Sequence, residues 1–426
     1  MAVQRLKVME PRFFQNFQCA GDQCPDTCCR SWTVSVNKKA YKRLKKHQDV
    51  IVRQLVNDTM KLARKSEQEW AYIKMDEQGR CGAMDENGLC ELHKRCGHSH
   101  LPDTCQEYPR RANGFGQQVE MSLFLSCPSA VENILFDPSA MMFEEKTKNV
   151  GEVMNGKLAD MSDYIPEWLP IVRDFCFSLM LDPEASFDFK MFCLGYFLNK
   201  AQDKLEDVDV LNQFIDSFAA QYNQGELDTI YQSLPSVGKL KWHAFATQDT
   251  VLMKNVDFIK GKDDKPVMSS IGINFQEVRQ ELLPLLKEMT EEHVKAGKTS
   301  EEAQVEAFLQ ILSQADEQYL SKYYAENEQF LINYGLYFLY HEQFMMHKGL
   351  SLFDFFKVMA VHTLTFRVYM SAIAIKHKKL DKARVVKIYN AISRISQHKE
   401  QYIDSMLGEL KNNKCDSVAQ ILGLFK

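Results

Sequence analysis

Cysteine is the residue type with the clearest chemical potential in this chain, and it is unevenly distributed. Nine of the twelve cysteines lie within the first 127 residues. Thiolates bind zinc and iron–sulphur clusters strongly, and either centre takes about four of them from separated loops. The sequence therefore predicts a metal-thiolate site in the N-terminal part of the chain. Its eight predicted ligands are Cys19, Cys24, Cys28, Cys29, Cys81, Cys90, Cys105 and Cys127.

Eight thiols are twice the number that one metal centre needs. They could hold one cluster plus a second metal, or one cluster with the other thiols packed as core residues. Adjacent Cys28 and Cys29 bear on this choice, because neighbouring side chains leave the backbone in different directions and rarely both reach one ion. This pair could serve two metals, or one metal and the core.

A disulfide framework is the main alternative to a metal site, and it depends on the compartment. The N-terminal segment has no uninterrupted apolar stretch typical of a signal peptide, and no later segment offers about 18 charge-free apolar residues. We therefore expect a cytoplasmic chain with reduced thiols and no membrane span.

The identity of the metal stays open at this stage. The spacings Cys19-x4-Cys24 and Cys24-x3-Cys28 fall within the zinc range, but the tight CxxC knuckle is absent. His93, His98 and His100 could complete a mixed zinc site, although surface or supporting roles are favoured. The other cysteines, Cys96, Cys176, Cys193 and Cys415, are left out of the ligand set, and the last three are expected in the helical core.

The fold class predicted for the chain is mainly α. Composition changes near residue 150, which divides an irregular, cysteine-rich metal-binding domain (1–150) from a larger all-helical domain (151–426). In the first domain we expect helices at about 37–65 and 128–136 and a hairpin at about 112–126.

Helical periodicity dominates the second domain. Thr299 and Glu302 form a capping box at the start of one helix. The segment from Leu352 to Ile375 is apolar nearly all round but carries charges, which favours a core helix over a membrane span. Residues 254–265 are polar and are expected to form an exposed loop.

Net charge argues against nucleic-acid binding. The chain carries a formal charge of −5 and has an isoelectric point near 6.2, whereas nucleic-acid domains are usually basic. The basic run between Lys38 and Lys46 is best explained as the solvated face of a helix.

The cysteine segments resemble a known family. CAGDQCPDTCCRSW, CGAMDENGLCELH, LPDTCQEYPR and MSLFLSCPSA are similar to the flagellin lysine-N-methylase family within the wider YkgJ-type cysteine-cluster group. The likeness is strong over residues 5–140 and weaker over the helical part, where NYGLYFLYHEQF (333–344) resembles the C-terminal block of that family. Cys96 falls where that family's pattern leads us to expect an apolar residue.

The resemblance implies a [4Fe–4S] protein that uses S-adenosylmethionine to methylate lysine on flagellin. Neither a Rossmann glycine turn nor a complete CxxxCxxC motif is present, so any donor site is of an unfamiliar kind. The cluster could hold the donor itself, which we favour, or only support the fold. A non-enzymatic redox or assembly module with a helical partner-binding platform is the alternative function.

Methylation requires a neutral lysine amine. At pH 7 a free lysine lies about 3.4 units below its pKa, so deprotonation costs about 4.6 kcal/mol. Desolvation or a nearby base must supply this free energy. The candidates are Tyr334, Tyr337, Tyr340 and Glu342, although an aromatic stripe at helical spacing is more often core.

Overall fold

The fold was obtained as a computed structural model. It describes residues 5–30, 34–149, 165–235, 237–260, 266–342, 349–399 and 401–426. Several sequence predictions fall elsewhere. Trp32 of the cysteine pattern, the boundary at residue 150, residues 261–265 of the polar loop, and Gln343 and Phe344 lie outside the described residues.

Helices dominate the described chain, which confirms the mainly α fold class, with strands concentrated in the N-terminal part. The helices are α1 Arg12–Gln15, α2 Lys38–Lys45, α3 Val50–Thr59, α4 Glu91–Cys96, α5 Asp103–Glu107, α6 Pro128–Phe136, α7 Trp168–Leu181, α8 Phe187–Ala201, α9 Val208–Asn223, α10 Glu226–Ser233, α11 Gly238–Lys254, α12 Ser270–Lys295, α13 Ser300–Ala315, α14 Ser321–Asn327, α15 Gln329–His341, α16 Leu352–His377, α17 Lys382–Ser396, α18 Tyr402–Asn412 and α19 Val418–Leu422. The strands are β1 Arg5–Pro11, β2 Val34–Val36, β3 Met60–Leu62, β4 Ala71–Ile73, β5 Arg110–Phe115, β6 Gln118–Leu123, β7 Phe143–Asn149, β8 Phe258–Lys260 and β9 Pro266–Met268.

The large sheet has four strands in the order β5-β6-β1-β7. Strand β1 pairs in parallel with β6 and antiparallel with β7, so the start of the chain lies at the centre of this sheet. The predicted hairpin is confirmed by β5 and β6, and Gly116 takes a φ of 59° at its turn.

A smaller sheet has the strand order β2-β4-β3. Together with helices α2, α3, α4 and α5 it forms a cysteine module with its own apolar core. The helical prediction for about 37–65 corresponds to two short helices, α2 and α3, and the range ends in the strand β3. Asp49 caps a second helix by accepting from the N–H of Ile51, and Met60 then leaves α3 for a strand paired with β4. On α2 the lysines are mostly exposed while Tyr41 and Leu44 are buried, as the charge pattern predicted.

The main core joins the helical part to the large sheet and α6. Helix α15 connects the helical part to the large sheet and to α6 through hydrogen bonds. The Tyr337 hydroxyl donates to the Leu123 carbonyl (2.8 Å), and the Asn333 amide donates to the Leu135 carbonyl (3.1 Å). Leu123 and Tyr337 belong to one continuous core, so this core has members on both sides of residue 150.

The strongest helix predictions are confirmed. The capping box of Thr299 and Glu302 starts α13. Helix α16 is long and apolar enough to cross a membrane, yet 89% of its apolar stretch is buried inside the fold, which supports a core helix. The predicted loop at 254–265 is partly wrong, because Phe258–Lys260 is a strand of a short hairpin with β9.

Candidate metal centre

The eight predicted ligands lie on four short segments that follow or precede regular elements. The cysteine loop, residues 19–29, contains one 3-10 turn at Gly21–Gln23 and carries the first four thiols. Cys81 is joined to it, since its N–H donates to the Cys29 carbonyl (2.9 Å). This backbone contact brings the second segment against the first.

The remaining thiols sit at helix ends or in a short helix. Asp85 and Leu89 close a turn through two hydrogen bonds, and this turn places Cys90 at the start of α4. Cys105 lies within α5, and Cys127 is the residue that precedes α6. Local turn and cap geometry therefore positions each thiol.

Packing and electrostatics separate the thiols into two sets. Cys29, Cys81, Cys90 and Cys105 pack with the core of the cysteine module, and we call them the inner thiols. Cys81 and Cys105 each have a raised pKa, to which neighbouring inner thiols contribute after burial.

The outer thiols are Cys19, Cys24 and Cys127. Cys127 packs against the main core instead of the module core, while Cys19 is exposed. Burial raises the pKa of Cys127 to about 12, and the charges of Cys24 and Cys19 add to this effect. Cys28 lies between the two sets, because Cys29, Cys105 and Cys127 all raise its pKa.

The side chains of Cys28 and Cys29 interact with each other. Their hydrogen bond, followed by burial, raises the pKa of Cys28, and the same hydrogen bond lowers the pKa of Cys29. The Cys29 N–H also donates to the Thr27 hydroxyl (3.2 Å). The expectation that the two neighbours serve different partners stays a prediction.

Most of these thiols hold their protons tightly. Burial raises the pKa of Cys81 to about 12 and that of Cys90 to about 11. Two cationic side chains lie near these thiols. The charge of Arg394 lowers the pKa of Cys24, and Arg110 interacts with Cys19 and Cys127. A metal ion deprotonates the thiols that coordinate it, so binding would release protons.

The donor set fits a thiophilic metal by its chemistry, since soft thiolates select zinc and iron–sulphur centres. Among the described residues, however, no three His, Cys, Asp or Glu side chains stand in a preformed metal-ligating arrangement. Coordination would require these short side chains to turn towards a common point. The eight-residue ligand set therefore stays a prediction.

The cysteines and histidines that were set aside lie elsewhere. Cys176, Cys193 and Cys415 are buried in the helical core, as predicted. Cys96 ends α4, where burial and then the Asp49 charge raise its pKa. The rings of His93 and His98 are 6.1 Å apart on the module surface.

Helix α17 contributes a contact that the sequence did not reveal. Arg394, only 7% exposed, forms an ion pair with Asp26 of the cysteine loop. Nearby, the Tyr108 hydroxyl donates to the Ser126 carbonyl (2.7 Å), which joins the segment of Cys105 to that of Cys127. The Asp26–Arg394 pair thus holds the cysteine loop against helix α17.

A wide groove opens where the cysteine loop meets α6, α12 and α17. Its volume is about 710 Å³, and its walls include Pro25, Asp26 and Pro128, each next to or near an outer thiol. A second cavity of about 570 Å³ shares Glu277 and Lys387 with it, so the groove continues along α12 and α17.

A much smaller pocket of about 30 Å³ lies between α15, α16, α17 and α18. Two of the sequence candidates, Tyr337 and Glu342, line it together with Tyr334. Tyr340 instead points to the sheet, where its hydroxyl donates to the Met121 carbonyl (3.1 Å). All three tyrosines are buried, so the aromatic stripe is core, as the pattern favoured.

Comparison with known protein families identifies the class of protein to which this chain belongs. Residues 18–124 match the family described as "Putative zinc- or iron-chelating domain", which supports metal binding by the cysteine-rich part. Residues 173–424, more than half of the chain, match the FliB lysine N-methylase C-terminal domain, and the chain belongs to that family.

Curated relatives agree with this membership. Lysine-N-methylase of Salmonella choleraesuis (strain SC-B67) is 29% identical over 238 residues, 55% of this chain and 58% of that protein. Flagellar biosynthetic protein FliU of Salmonella muenchen is 34% identical over 145 residues, 34% of this chain and 86% of that protein. The match thus spans somewhat over half the length of the lysine-N-methylase. No solved structure matches the chain.

Proposed function

We propose that this chain is a metal-dependent protein-lysine N-methyltransferase that acts on flagellin with S-adenosylmethionine as methyl donor, in the cytoplasm. Family membership and the names of the relatives support the reaction class. The observation that carries the proposal is the groove of about 710 Å³ beside the cysteine loop, because it brings the predicted metal-binding loop to a cleft that could receive a protein segment.

The two sets of thiols suggest different roles. The inner thiols Cys29, Cys81, Cys90 and Cys105 pack with the module core, which suits a centre that stabilises the fold. The outer thiols Cys19, Cys24 and Cys127 are each next in sequence to a residue of the groove wall, namely Ala20, Pro25 and Pro128, which suits a centre that faces a substrate. We favour a [4Fe–4S] cluster, with zinc as the alternative, and we retain 1–150 as the metal-binding domain and 151–426 as the helical platform.

The metal centre, when bound, would supply a Lewis-acidic position able to hold the amino and carboxylate groups of the donor. The chain must provide everything else. Asp26 and Arg394 hold the cysteine loop against α17. The groove must bind the flagellin segment, and an apolar wall must keep water from the amine, because desolvation favours the neutral lysine that can accept a methyl group.

Paired cysteine variants test the division of roles. Cys24→Ala on the groove side should abolish methylation while the melting temperature stays close to that of the parent chain. Cys81→Ala on the inner side should lower the melting temperature and the metal content together. Retained methylation by a folded, metal-free Cys24→Ala protein would contradict a catalytic role for the outer centre.

The same assay separates the enzyme from the non-enzymatic module. The anaerobically purified chain is incubated with flagellin and S-adenosylmethionine, and lysine-containing peptides are weighed by mass spectrometry. We expect a gain of one or more methyl groups on lysine. A fully metal-loaded chain that leaves flagellin unchanged would favour a redox or assembly module.

A further inference from the structure

Helix α17 supplies one wall of the groove beside the cysteine loop. Ala383, Val386 and Asn390 line the groove, and their spacing of three and four residues places them on one face of the helix. The other lining residues come from α6, α12 and the cysteine loop. Ala383 also lines the adjoining cavity of about 570 Å³, so the space is elongated and runs along α17. A space of this shape suits a stretch of polypeptide.

The charged side chains of the groove beside the cysteine loop are paired with one another or with a neighbour. Lys382 of α17 pairs with Glu132 of α6, and Lys387 pairs with Glu277 of α12 at 2.8 Å. Asp26 is held by the ion pair with α17 described above. Each of these charges therefore has an opposite partner within the fold. Recognition of a bound segment must come mainly from uncharged groups.

Among the described residues that line this groove, Asn390 is the one polar side chain that is buried, at 4% exposed. Its Nδ2 donates to the Leu125 carbonyl over a long contact of 3.5 Å. Because a carbonyl can only accept, this contact fixes which end of the amide is the nitrogen. Within the described chain its Oδ1 accepts no hydrogen bond, and it is not enclosed as the unpaired hydroxyl of Tyr389 is. Asn390 thus offers the groove a free acceptor.

The main chain of a peptide is the natural complement of this amide. A peptide unit presents one N–H and one C=O, and the side chain of asparagine carries an acceptor and two N–H groups. In an α-helix the main-chain groups bond to one another, so they are not free to meet Asn390. An extended segment leaves them free. The short side chains of Ala383 and Val386 leave room for the main chain of such a segment to approach α17.

We propose that the groove binds the flagellin segment in an extended conformation and holds it by hydrogen bonding of its main chain to the Asn390 amide. The inference rests on the proposed function, because flagellin is the ligand only if the chain methylates it. Asn390 contacts Leu125, two residues before the outer thiol Cys127, and Pro128 of the groove wall follows that thiol. Main-chain recognition selects lysines by the extended state of their segment more than by the neighbouring sequence.

Three variants test the groove. Asn390→Ala removes the amide. Asn133→Ala is the matched control, because Asn133 is a half-buried asparagine of α6 that does not line the groove. Ala383→Trp fills the groove from an exposed position, so it leaves the core intact. The melting temperature and metal content of each variant should stay close to those of the parent chain.

Steady-state methylation of flagellin by the metal-loaded chain gives the first readout. Asn390→Ala should raise KM for flagellin about fivefold to tenfold, the effect of one or two lost hydrogen bonds, with KM for S-adenosylmethionine unchanged. Ala383→Trp should raise KM for flagellin further, because it blocks the whole segment. Asn133→Ala should behave like the parent chain.

A peptide with a modified main chain tests the hydrogen bond itself. A labelled flagellin peptide around a methylated lysine is prepared with one main-chain N–H at a time replaced by N–CH₃, and its binding is followed by fluorescence anisotropy. At one position the replacement should weaken binding to the parent about fivefold. The same replacement should leave binding to Asn390→Ala unchanged, because the hydrogen bond is already absent. Equal weakening for both proteins at every position would refute the contact.

The outcomes separate this inference from the proposed function. If the parent methylates flagellin while Asn390→Ala and Ala383→Trp both match Asn133→Ala, the groove assignment is wrong and the function stands. A rise in KM for S-adenosylmethionine alone would place the donor in the groove. A changed oligomeric state of Ala383→Trp with unchanged KM would place a second copy there, and either result overturns the assignment.

A metal-loaded parent chain that methylates no flagellin would refute the proposed function. The anisotropy assay then decides the groove by itself, with labelled peptides that together cover the flagellin sequence. Binding to the parent that is lost in Ala383→Trp would support the groove as a peptide site. Absence of binding to the parent would refute it.

Discussion

The ion pair between Asp26 and Arg394 gives a sharp test of how the cysteine loop is held. The side chains are 14% and 6% exposed, so both charges are largely removed from water. Burial alone would lower the pKa of Arg394, but the charge of Asp26 and its hydrogen bond keep it raised. Asp26→Asn would leave a buried guanidinium without its counter-charge.

The size of the effect follows from this burial. Breaking a buried pair by removing one partner costs about 3–5 kcal/mol, and the partial exposure of Asp26 favours the lower end. The loop can escape this cost by leaving α17, which separates Cys24 and Cys28 from Cys127. If metal binding by the outer thiols needs the docked loop, about 3 kcal/mol corresponds to roughly 100-fold weaker metal affinity.

Competition with a chromophoric chelator measures that affinity. Asp22→Asn is the matched control, because Asp22 is exposed on the same loop. The double variant Asp26→Asn with Arg394→Met should recover part of the loss, since it removes the unpaired charge. The reasoning is refuted if Asp26→Asn binds metal within about twofold of Asp22→Asn, a difference far smaller than the expected two powers of ten.

Three further predictions concern the helical body and its junction with the sheet. Glu120→Gln leaves Arg173 buried without its bidentate partner (2.7 and 3.1 Å) and should lower the unfolding free energy by about 3–5 kcal/mol in chemical denaturation. Stability should fall as pH drops from about 6.5 to 4, because burial lowers the pKa of His362 and of His398 to about 4, so the unfolded chain takes up protons there that the folded chain does not. His362 contributes about 3 kcal/mol to this loss, the more exposed His398 contributes less, and His362→Gln should remove the share of His362 and so reduce the slope in chemical denaturation. Gly195→Ala should destabilise by about 1–3 kcal/mol, since the new methyl would lie 2.2 Å from an aromatic carbon of α16, whereas Gly408→Ala, with nothing within 4 Å, should stabilise by about 0.5–1 kcal/mol.

Local patterns made several elements predictable from sequence. Thr299 and Glu302 satisfy each other within four residues, so the start of α13 needs no knowledge of the rest of the fold. Leu352–His377 shows its burial by being apolar on nearly every face. The cysteines were informative for the same reason, since the residue type itself restricts the chemistry.

Long-range pairing was not predictable in this way. The parallel pairing of β1 with β6 joins Val8 to Val119, and nothing in either strand specifies that register. The split of 37–65 into two helices also depends on tertiary contacts, because Met60 leaves α3 to pair with Ile73.

The candidate site shows the same limit. The thiols were found from their type, but Arg394 and Gln397 look like ordinary polar residues near the end of a helix. Their roles follow from the ion pair with Asp26 and the hydrogen bonds to Tyr337 and Glu342, which only the folded chain assembles.

The central claim is that a thiolate-bound metal and lysine methylation belong to one active protein. The most direct measurement follows methylation of flagellin by the anaerobically purified chain before metal removal, after removal, and after reconstitution, with metal and acid-labile sulphide determined on each sample. The account predicts methyl groups on lysine that disappear with the metal and return with it. Equal methylation by a folded, metal-free chain, or none by a fully loaded one, would contradict it.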